Sequence, residues 1–377
     1  MIRKRVILFF VKQEKEEQVM YDHILTEFPR LHGETGDSAR IQRAIDATAN
    51  GVLCIPKGDY AIDRTLYIRN RCSLDMHPAA RLIAQCSMDF VLEYAAEGNY
   101  HELTLFNEDG TVYDNLGLFI RGGDIEGNGL ASCLAITNAH HFTLTNTALH
   151  NGVKYGLYVG GSRGGHIYEL ICNNVYCKCT MKGLGGNIGI WSDKHDAHFN
   201  DCIIVDYTIG MQLWGSANRI TRCHLWGGTV PPADISVEAW SKIYGERKSL
   251  LQKGLYSDET QRQYQNQPPE MLIDSISFDM RGSCNVLDGC YADTAAVGYM
   301  IHGDTRMINC DFFNNKLMGL RESTAIRHLG GRLSVISCAF RGPAGTEKLY
   351  EGSGENVEWI ASSATGGEGM TVPKFGK

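Results

Sequence analysis

Proline is scarce in this chain, with 9 in 377 residues, while glycine supplies 42. That imbalance points to many turns, which fit short strands better than long helices. A basic excess is missing too. Lys and Arg together number 36 against 43 Asp and Glu, and the net charge of -7 is spread along the sequence without a basic stripe. No nucleic-acid partner is expected from such a surface. Nor is there an apolar stretch long enough to span a membrane. The first apolar run, Val6-Ile7-Leu8-Phe9-Phe10-Val11, has six residues, is followed by Lys12 and lacks a small-residue cleavage site. It reads as a short strand or an unprocessed N-terminus, and a cytoplasmic location is expected.

Paired metal-binding cysteines are also lacking. The 13 cysteines are an odd number and sit mostly in apolar phrases; Cys177-Lys178-Cys179 has no matching second pair and no nearby histidines. We expect reduced, buried thiols and neither a zinc site nor a resident cofactor.

What the chain does have is a cysteine that returns at the end of a recurring phrase. Gly215-Ser216-Ala217-Asn218-Arg219-Ile220-Thr221-Arg222-Cys223 is echoed by Gly282-Ser283-Cys284-Asn285-Val286-Leu287-Asp288-Gly289-Cys290, and looser copies end at Cys172, Cys202, Cys310 and Cys338. Glycine-centred phrases recur with it around Gly156, Gly189, Gly210, Gly298 and Gly319. Gly189 to Gly210, Gly298 to Gly319 and Cys202 to Cys223 all span 21 residues, and Cys290 to Cys310 spans 20. Such a period, filled by about three short strands and three turns, marks a solenoid. Cys223 to Cys290 spans 67 residues, 46 more than the 21-residue coil. The surplus is assigned to an insertion at about 227–272, partly helical around 236–265, between Pro231-Pro232 and Pro268-Pro269.

Upstream, residues 12–30 read as a polar helical lead-in. Ile41, Ala44, Ile45 and Ala49 follow with helix spacing, Asp37 or Ser38 is the expected N-cap, and Asn50-Gly51 is the stop. Short strands come next around Val52–Ile55, Leu66–Ile68 and 81–84. One amphipathic helix before a run of strands is expected to cap the end of a β-stack, where an open edge would invite other chains. The domain reading is a lead-in at 1–32, one β-helix at 33–360 and a flexible tail at 361–377.

The segment Gly36-Asp37-Ser38-Ala39-Arg40-Ile41-Gln42-Arg43-Ala44-Ile45-Asp46-Ala47, followed by Gly51-Val52-Leu53-Cys54-Ile55-Pro56-Lys57-Gly58-Asp59-Tyr60, resembles the opening of pectate-lyase-like and polygalacturonase-related proteins. The resemblance implies an all-β, single-domain right-handed parallel β-helix with an N-terminal capping helix, and a carbohydrate substrate. The polygalacturonase set of Asp-Asp, Gly-His-Gly and Arg-Ile-Lys is absent, Gly165-His166-Ile167 being a partial echo, so no mechanism is carried over. Asp193-Lys194-His195-Asp196 is loosely similar to the acids that inulin fructotransferases carry on the same architecture.

If the recurring cysteine faces inward, the residues one and three places after it face outward. Successive coils then present Ile203 and Val205, His224 and Trp226, Tyr291 and Asp293, Asp311 and Phe313. Adjacent strands and the rise along a strand put Asp293 and Asp311 about 8 Å apart. That spacing suits inverting glycoside hydrolysis, with one carboxyl as acid and the other activating water. His224 is a candidate for positioning substrate or sharing the proton, and Trp226 and Tyr291 for stacking on a sugar ring.

A second constellation is Trp191-Ser192-Asp193-Lys194-His195-Asp196, in which Asp193 and Asp196 are candidate catalytic acids and Trp191 and His195 candidate substrate contacts. Nine residues before the cysteine, consecutive coils carry Asp193, Trp214 and Arg281, a stack suited to an acidic or neutral sugar. The expected activity is that of a glycoside hydrolase on an oligo- or polysaccharide. A lyase or epimerase is the enzymatic alternative, and calcium would belong to a lyase; a fructotransferase-like enzyme and a glycan-binding, tailspike-like β-helix complete the set. Long flat faces would also permit a homo-oligomer such as a trimer.

Overall fold

The computed structural model describes residues 21–95, 118–160, 167–179, 186–227, 275–314, 323–342 and 347–373. They form three parallel sheets of 12, 11 and 11 strands. Each coil gives one strand to each sheet in turn: Arg219–Thr221 to the first, His224–Gly227 to the second and Ile276–Met280 to the third, before Asn285–Asp288 begins the next coil. The chain is an all-β parallel β-helix, as its period implies.

The cysteine is explained by the corner between the first and second sheets. There one residue takes a left-handed conformation: Asn174, Asp201, Arg222, Asn309 and Ser337 have φ of 51–53°, and Gly289 has 63°. This single residue turns the chain, and the next one points into the core where only a small side chain fits. Cys202, Cys223, Cys290, Cys310 and Cys338 fill that place, each no more than 1% exposed. Their thiols donate to carbonyls of the neighbouring first-sheet strands, as Cys223 Sγ does to Phe199 O (3.4 Å) and Cys290 Sγ to Ile220 O (3.3 Å). Asn and Asp suit the turn because they tolerate this backbone region; Arg222 and Ser337 adopt it at some strain.

Cys172 is a correction to the repeat. It lies mid-strand in Ile171–Asn173, paired with Phe199, so it belongs to the first sheet. Val175, after left-handed Asn174, holds the corner position of that coil.

A second run of small residues lies inside the third sheet. Gly156, Gly189, Gly210, Ser277, Gly298 and Ala325 fall in register. A Cβ on Gly210 would sit 2.7 Å from Leu225 Cδ2, and one on Gly298 2.7 Å from Phe312 Cδ2. The glycines admit the large inward side chains of the second sheet. Gly319 lies outside the described residues.

The helix Ser38–Ala47 buries Ile41, Ala44 and Ile45 and packs on strands His23–Ile24, Gly58–Ile62 and Leu66–Ile68, the first described strand of each sheet. Asp37 holds the N-cap position, yet its carboxylate does not cap. It pairs with Arg30 and Arg40 and accepts the Ala61 N–H at 2.7 Å. Burial pushes its carboxyl up, but Arg30, Ala61 N–H and Arg40 outweigh that and hold it below its ordinary value.

Two expected boundaries shift. Within 12–30, the described part holds the strand His23–Ile24, which joins the first sheet beside Leu53–Cys54, and a 3-10 turn Leu25–Glu27 in place of a helix. At the other end Ser363–Gly366 pairs with Ala339–Gly342, so the β-helix runs past residue 360 into the expected tail. The surplus leaves the coil after His224–Gly227 and returns at Ile276–Met280, which pairs directly with Ile209–Leu213. The insertion itself and its expected helix, at 228–274, lie outside the described residues.

Candidate functional site

Outward residues of the third sheet form two rows. In one, Tyr158 pairs with Trp191, Trp191 with Gln212, Gln212 with Asp279 and Asp279 with Met300. The other lies two residues further along each coil: Asp193, Trp214, Arg281 and His302. Strand alternation puts both rows outside, because Met280 and Leu213 between them are in the core.

The rows converge on Asp279, which is fully buried. Its Oδ2 accepts Gln212 Nε2 at 2.7 Å and Arg281 Nε at 2.9 Å. Its Oδ1 lies 3.1 Å from His302 Nε2. Arg281 in turn lies over the Trp214 ring at 4.3 Å, and Trp214 Nε1 donates to Gln212 Oε1 at 3.3 Å. Gln212 is therefore fixed at both ends of its amide, and Trp214 is clamped while 49% exposed. Removing a carboxylate from water costs several kcal/mol, and here a cation and an amide donor offset it.

On the Trp191 side the site becomes aromatic. Trp191 stacks on Tyr158 with centroids 4.7 Å apart and planes 2° apart, and Tyr155 and Phe90 extend the lane. Burial, then the charge of Asp193, raises the Tyr158 phenol above its ordinary value. Asp193 pairs with Lys194 Nζ at 3.0 Å. His195 turns away, its Nδ1 accepting the Ser216 N–H at 2.9 Å, and Asp196 takes the corner with φ 58°. Asp196 then lines a shallow groove on the first sheet with Glu169, His198 and Arg219. Of the second constellation, Trp191 and Asp193 face the third sheet, and Asp196 does not.

The second sheet carries the other candidates. His224 pairs with Tyr291 and Tyr291 with Asp311, while Trp226 pairs with Asp293 and Asp293 with Phe313. Asp293 and Asp311 are thus diagonal neighbours. The His224 and Tyr291 rings stack at 4.7 Å, and His224 Nε2 lies 3.7 Å from Asp293 Oδ2. Asp293 Oδ1 accepts the Thr294 hydroxyl at 2.5 Å, and Asp311 faces Arg341 at 3.9 Å. Burial foremost, then Asp293, pushes the Tyr291 phenol up to about 12, with Arg341 opposing.

Among the described residues, Asp124, Glu126 and His150 are the group whose ligand types could hold a metal, with ligand atoms within 4.8 Å. Arg81 already approaches both carboxylates, at 3.2 Å from Asp124 and 3.4 Å from Glu126, and His150 Nδ1 lies 2.9 Å from Asp124 Oδ1. The positive charge a cation would bring is supplied by the arginine.

No known sequence family and no curated protein matches the chain. Solved structures do. The A-module of a mannuronan C-5 epimerase from Azotobacter vinelandii superposes with a TM-score of 0.56 at 12% identity, covering 92% of this chain and 96% of that one. An endo-xylogalacturonan hydrolase from Aspergillus tubingensis gives 0.54 at 11% identity, with 92% and 97% covered. The chain shares their parallel β-helix fold. A protein of Geobacillus virus E2, ORF18, gives 0.56 at 12% identity over 90% of this chain, which spans 59% of the viral protein. At such identities the likeness of this β-helix to its neighbours reaches the fold and goes no further.

Asp279, Gln212, His302 and Tyr158 are absent from the sequence-derived candidates. The cysteine period does point to two of them. Eleven residues before Cys202, Cys223 and Cys290 stand Trp191, Gln212 and Asp279.

Proposed function

We propose that the protein is a carbohydrate-active enzyme that lays a polysaccharide along the third sheet and cleaves a glycosidic bond at Asp279. The observation that carries this reading is the meeting of two features on one face. An aromatic lane, Phe90, Tyr158 and Trp191, runs toward a buried carboxylate whose partners Gln212 and Arg281 both touch an exposed tryptophan. Aromatic faces bind the apolar sides of sugar rings, and a fixed charge in a water-poor site acts strongly on developing charge. The fold neighbours, named for action on mannuronan and xylogalacturonan, support a polysaccharide substrate.

A second reading has its own observation. The diagonal register of Asp293 and Asp311 places their backbones about 8 Å apart, a spacing compatible with paired-carboxylate hydrolysis on the second sheet. The test is a panel of neutral and acidic glycans, assayed for new reducing ends and for absorbance from unsaturated product. Loss of cleavage in Asp279→Asn with retention in Asp293→Asn supports the third sheet; the reverse moves the reaction to the second. Unsaturated product makes the enzyme a lyase. Binding without cleavage by the parent makes it a glycan-binding module.

A further inference from the structure

We propose that Asp279 and His302 form a carboxylate–imidazole dyad in which His302 moves the proton, an inference that rests on the third sheet being the reacting face. The two oxygens of Asp279 are treated differently. Oδ2 takes N–H donors from Gln212 and Arg281. Oδ1 accepts no hydrogen bond among the described residues, and neither does His302 Nε2 make one, although they lie 3.1 Å apart and are both closed to solvent. A buried donor and acceptor left without a hydrogen bond are each unfavourable. At 3.1 Å the two atoms stand within hydrogen-bonding distance, so an aligned Nε2–H would satisfy both. Catalytic hydrogen bonds are commonly loose before substrate closes the site.

The remaining surroundings suit this role. Arg281 is pinned between Trp214 and Oδ2, and so cannot easily swing across to Oδ1. The His302 side chain is 28% exposed while its Nε2 is covered, which leaves the opposite edge, with Nδ1, toward solvent. A carboxylate at Nε2 fixes the neutral tautomer with its proton there and stabilises the imidazolium when Nδ1 takes a second one. In cleavage, Nδ1–H of the imidazolium gives its proton to the glycosidic oxygen, which leaves with the electron pair of its bond to the anomeric carbon. Water then bonds to that carbon through an oxygen lone pair and returns a proton to Nδ1. Asp279 gains and loses nothing; it is a positioning residue.

Histidine-selective nitrogen NMR on the full chain tests the dyad, with the His302 signal assigned by its loss in His302→Gln. The expected neutral ring is protonated at Nε2, and that preference disappears in Asp279→Asn. A ring protonated at Nδ1, or a preference unchanged in Asp279→Asn, overturns the dyad whatever the protein acts on. On a glycan that the parent cleaves, His302→Gln should lower kcat about 100-fold with KM within about 2-fold. Full kcat in that variant removes His302 from the reaction. A parent that cleaves no glycan removes the hydrolase reading and the proton transfer together, and is told apart from failure of the pairing because the tautomer result stands by itself. Should Asp279→Asn not fold, the parent's tautomer and the kcat of His302→Gln decide.

Discussion

Two faces of this β-helix each set an aspartate beside a histidine of an adjacent coil, and they do it differently. On the third sheet Asp279 is fully buried, one oxygen is saturated by Gln212 and Arg281, and His302 lies 3.1 Å from the other. On the second sheet the Asp293 side chain is 16% exposed, its Oδ1 accepts from the hydroxyl of its neighbour Thr294 alone among the described residues, and His224 stands 3.7 Å away and 38% exposed. Ladder geometry is common to both. What differs is the shell around the acid: a guanidinium under a tryptophan in one case, a stacked tyrosine in the other. A solenoid supplies the spacing of side chains on every face, and the neighbours of the acid decide which face is preorganised for chemistry.

The largest expected contrast breaks that shell. Asp279→Ala leaves Arg281 and Gln212 without their acceptor, and we expect a loss on the order of 3 kcal/mol of folding stability; Arg281 keeps some access to water, which limits the effect. Asp293→Ala should cost about 1 kcal/mol, since only a hydroxyl and a distant imidazole lose a partner. Urea unfolding of the two variants beside the parent measures the difference. Equal losses would show that Asp279 is no better held than Asp293 and would remove the structural basis for preferring the third sheet.

Next in size are the corners that carry the two faces. A Cβ on Gly215, just after Trp214, would sit 1.8 Å from Lys194 O, and one on Gly282, just after Arg281, 2.0 Å from Gly215 O. Gly215→Ala therefore has to move backbone, at about 2 kcal/mol, and should displace Trp214. Gly289, which begins the corner before Tyr291, has room beside Arg222 but a φ of 63°. Gly289→Ala should cost about 1 kcal/mol from conformation alone. Thermal unfolding ranks them, and Trp214 fluorescence should respond to the first substitution only.

These corners also show how much of the molecule the sequence displays. The cysteine works as a ruler because it follows a fixed one-residue turn, so residues just after it fall into register: His224, Trp226, Tyr291, Asp293 and Asp311 could all be stacked by counting. Backward counting holds as far as the third sheet, and it aligned Asp193, Trp214 and Arg281. Asp279 is hidden because it follows the 46-residue surplus and looks like any polar residue in a strand until the count is carried back eleven places. His302 is hidden for another reason. Its coil is 20 residues long, and the count slips by one. Cys172 misleads because a mid-strand cysteine is as apolar as a corner one, and only pairing separates them.

Ligand binding should separate the faces by a smaller amount. Trp214→Ala removes the ring over which Arg281 lies and the donor to Gln212, and should weaken binding of the best glycan about 10-fold. Trp226→Ala, on the second sheet, should leave that affinity within about 2-fold. Affinity electrophoresis through glycan-loaded gels reads both. Equal retardation of the two variants would mean that the sugar does not choose between the sheets.

The smallest effect concerns the second sheet alone. The Tyr291 phenol is pushed up to about 12, by burial first and by Asp293 and Asp311, while Arg341 opposes. An unfolded tyrosine ionises near about 10. As pH rises the unfolded chain therefore loses its proton first, so the stabilisation is whole below about pH 10 and is lost as pH climbs toward about 12. Tyr291 is partly open to water, which reduces the contribution to about 1 kcal/mol or less. Between about pH 9 and about pH 11, the parent should lose more stability in urea than Tyr291→Phe by up to that amount. Tyr158→Phe gives the matching reading from the third sheet, where Asp193 acts on a phenol already raised by burial. If Tyr291→Phe follows the parent through this range, neither burial nor the carboxylates of the second sheet act on the ring. The electrostatic case for a second reacting face would go with them.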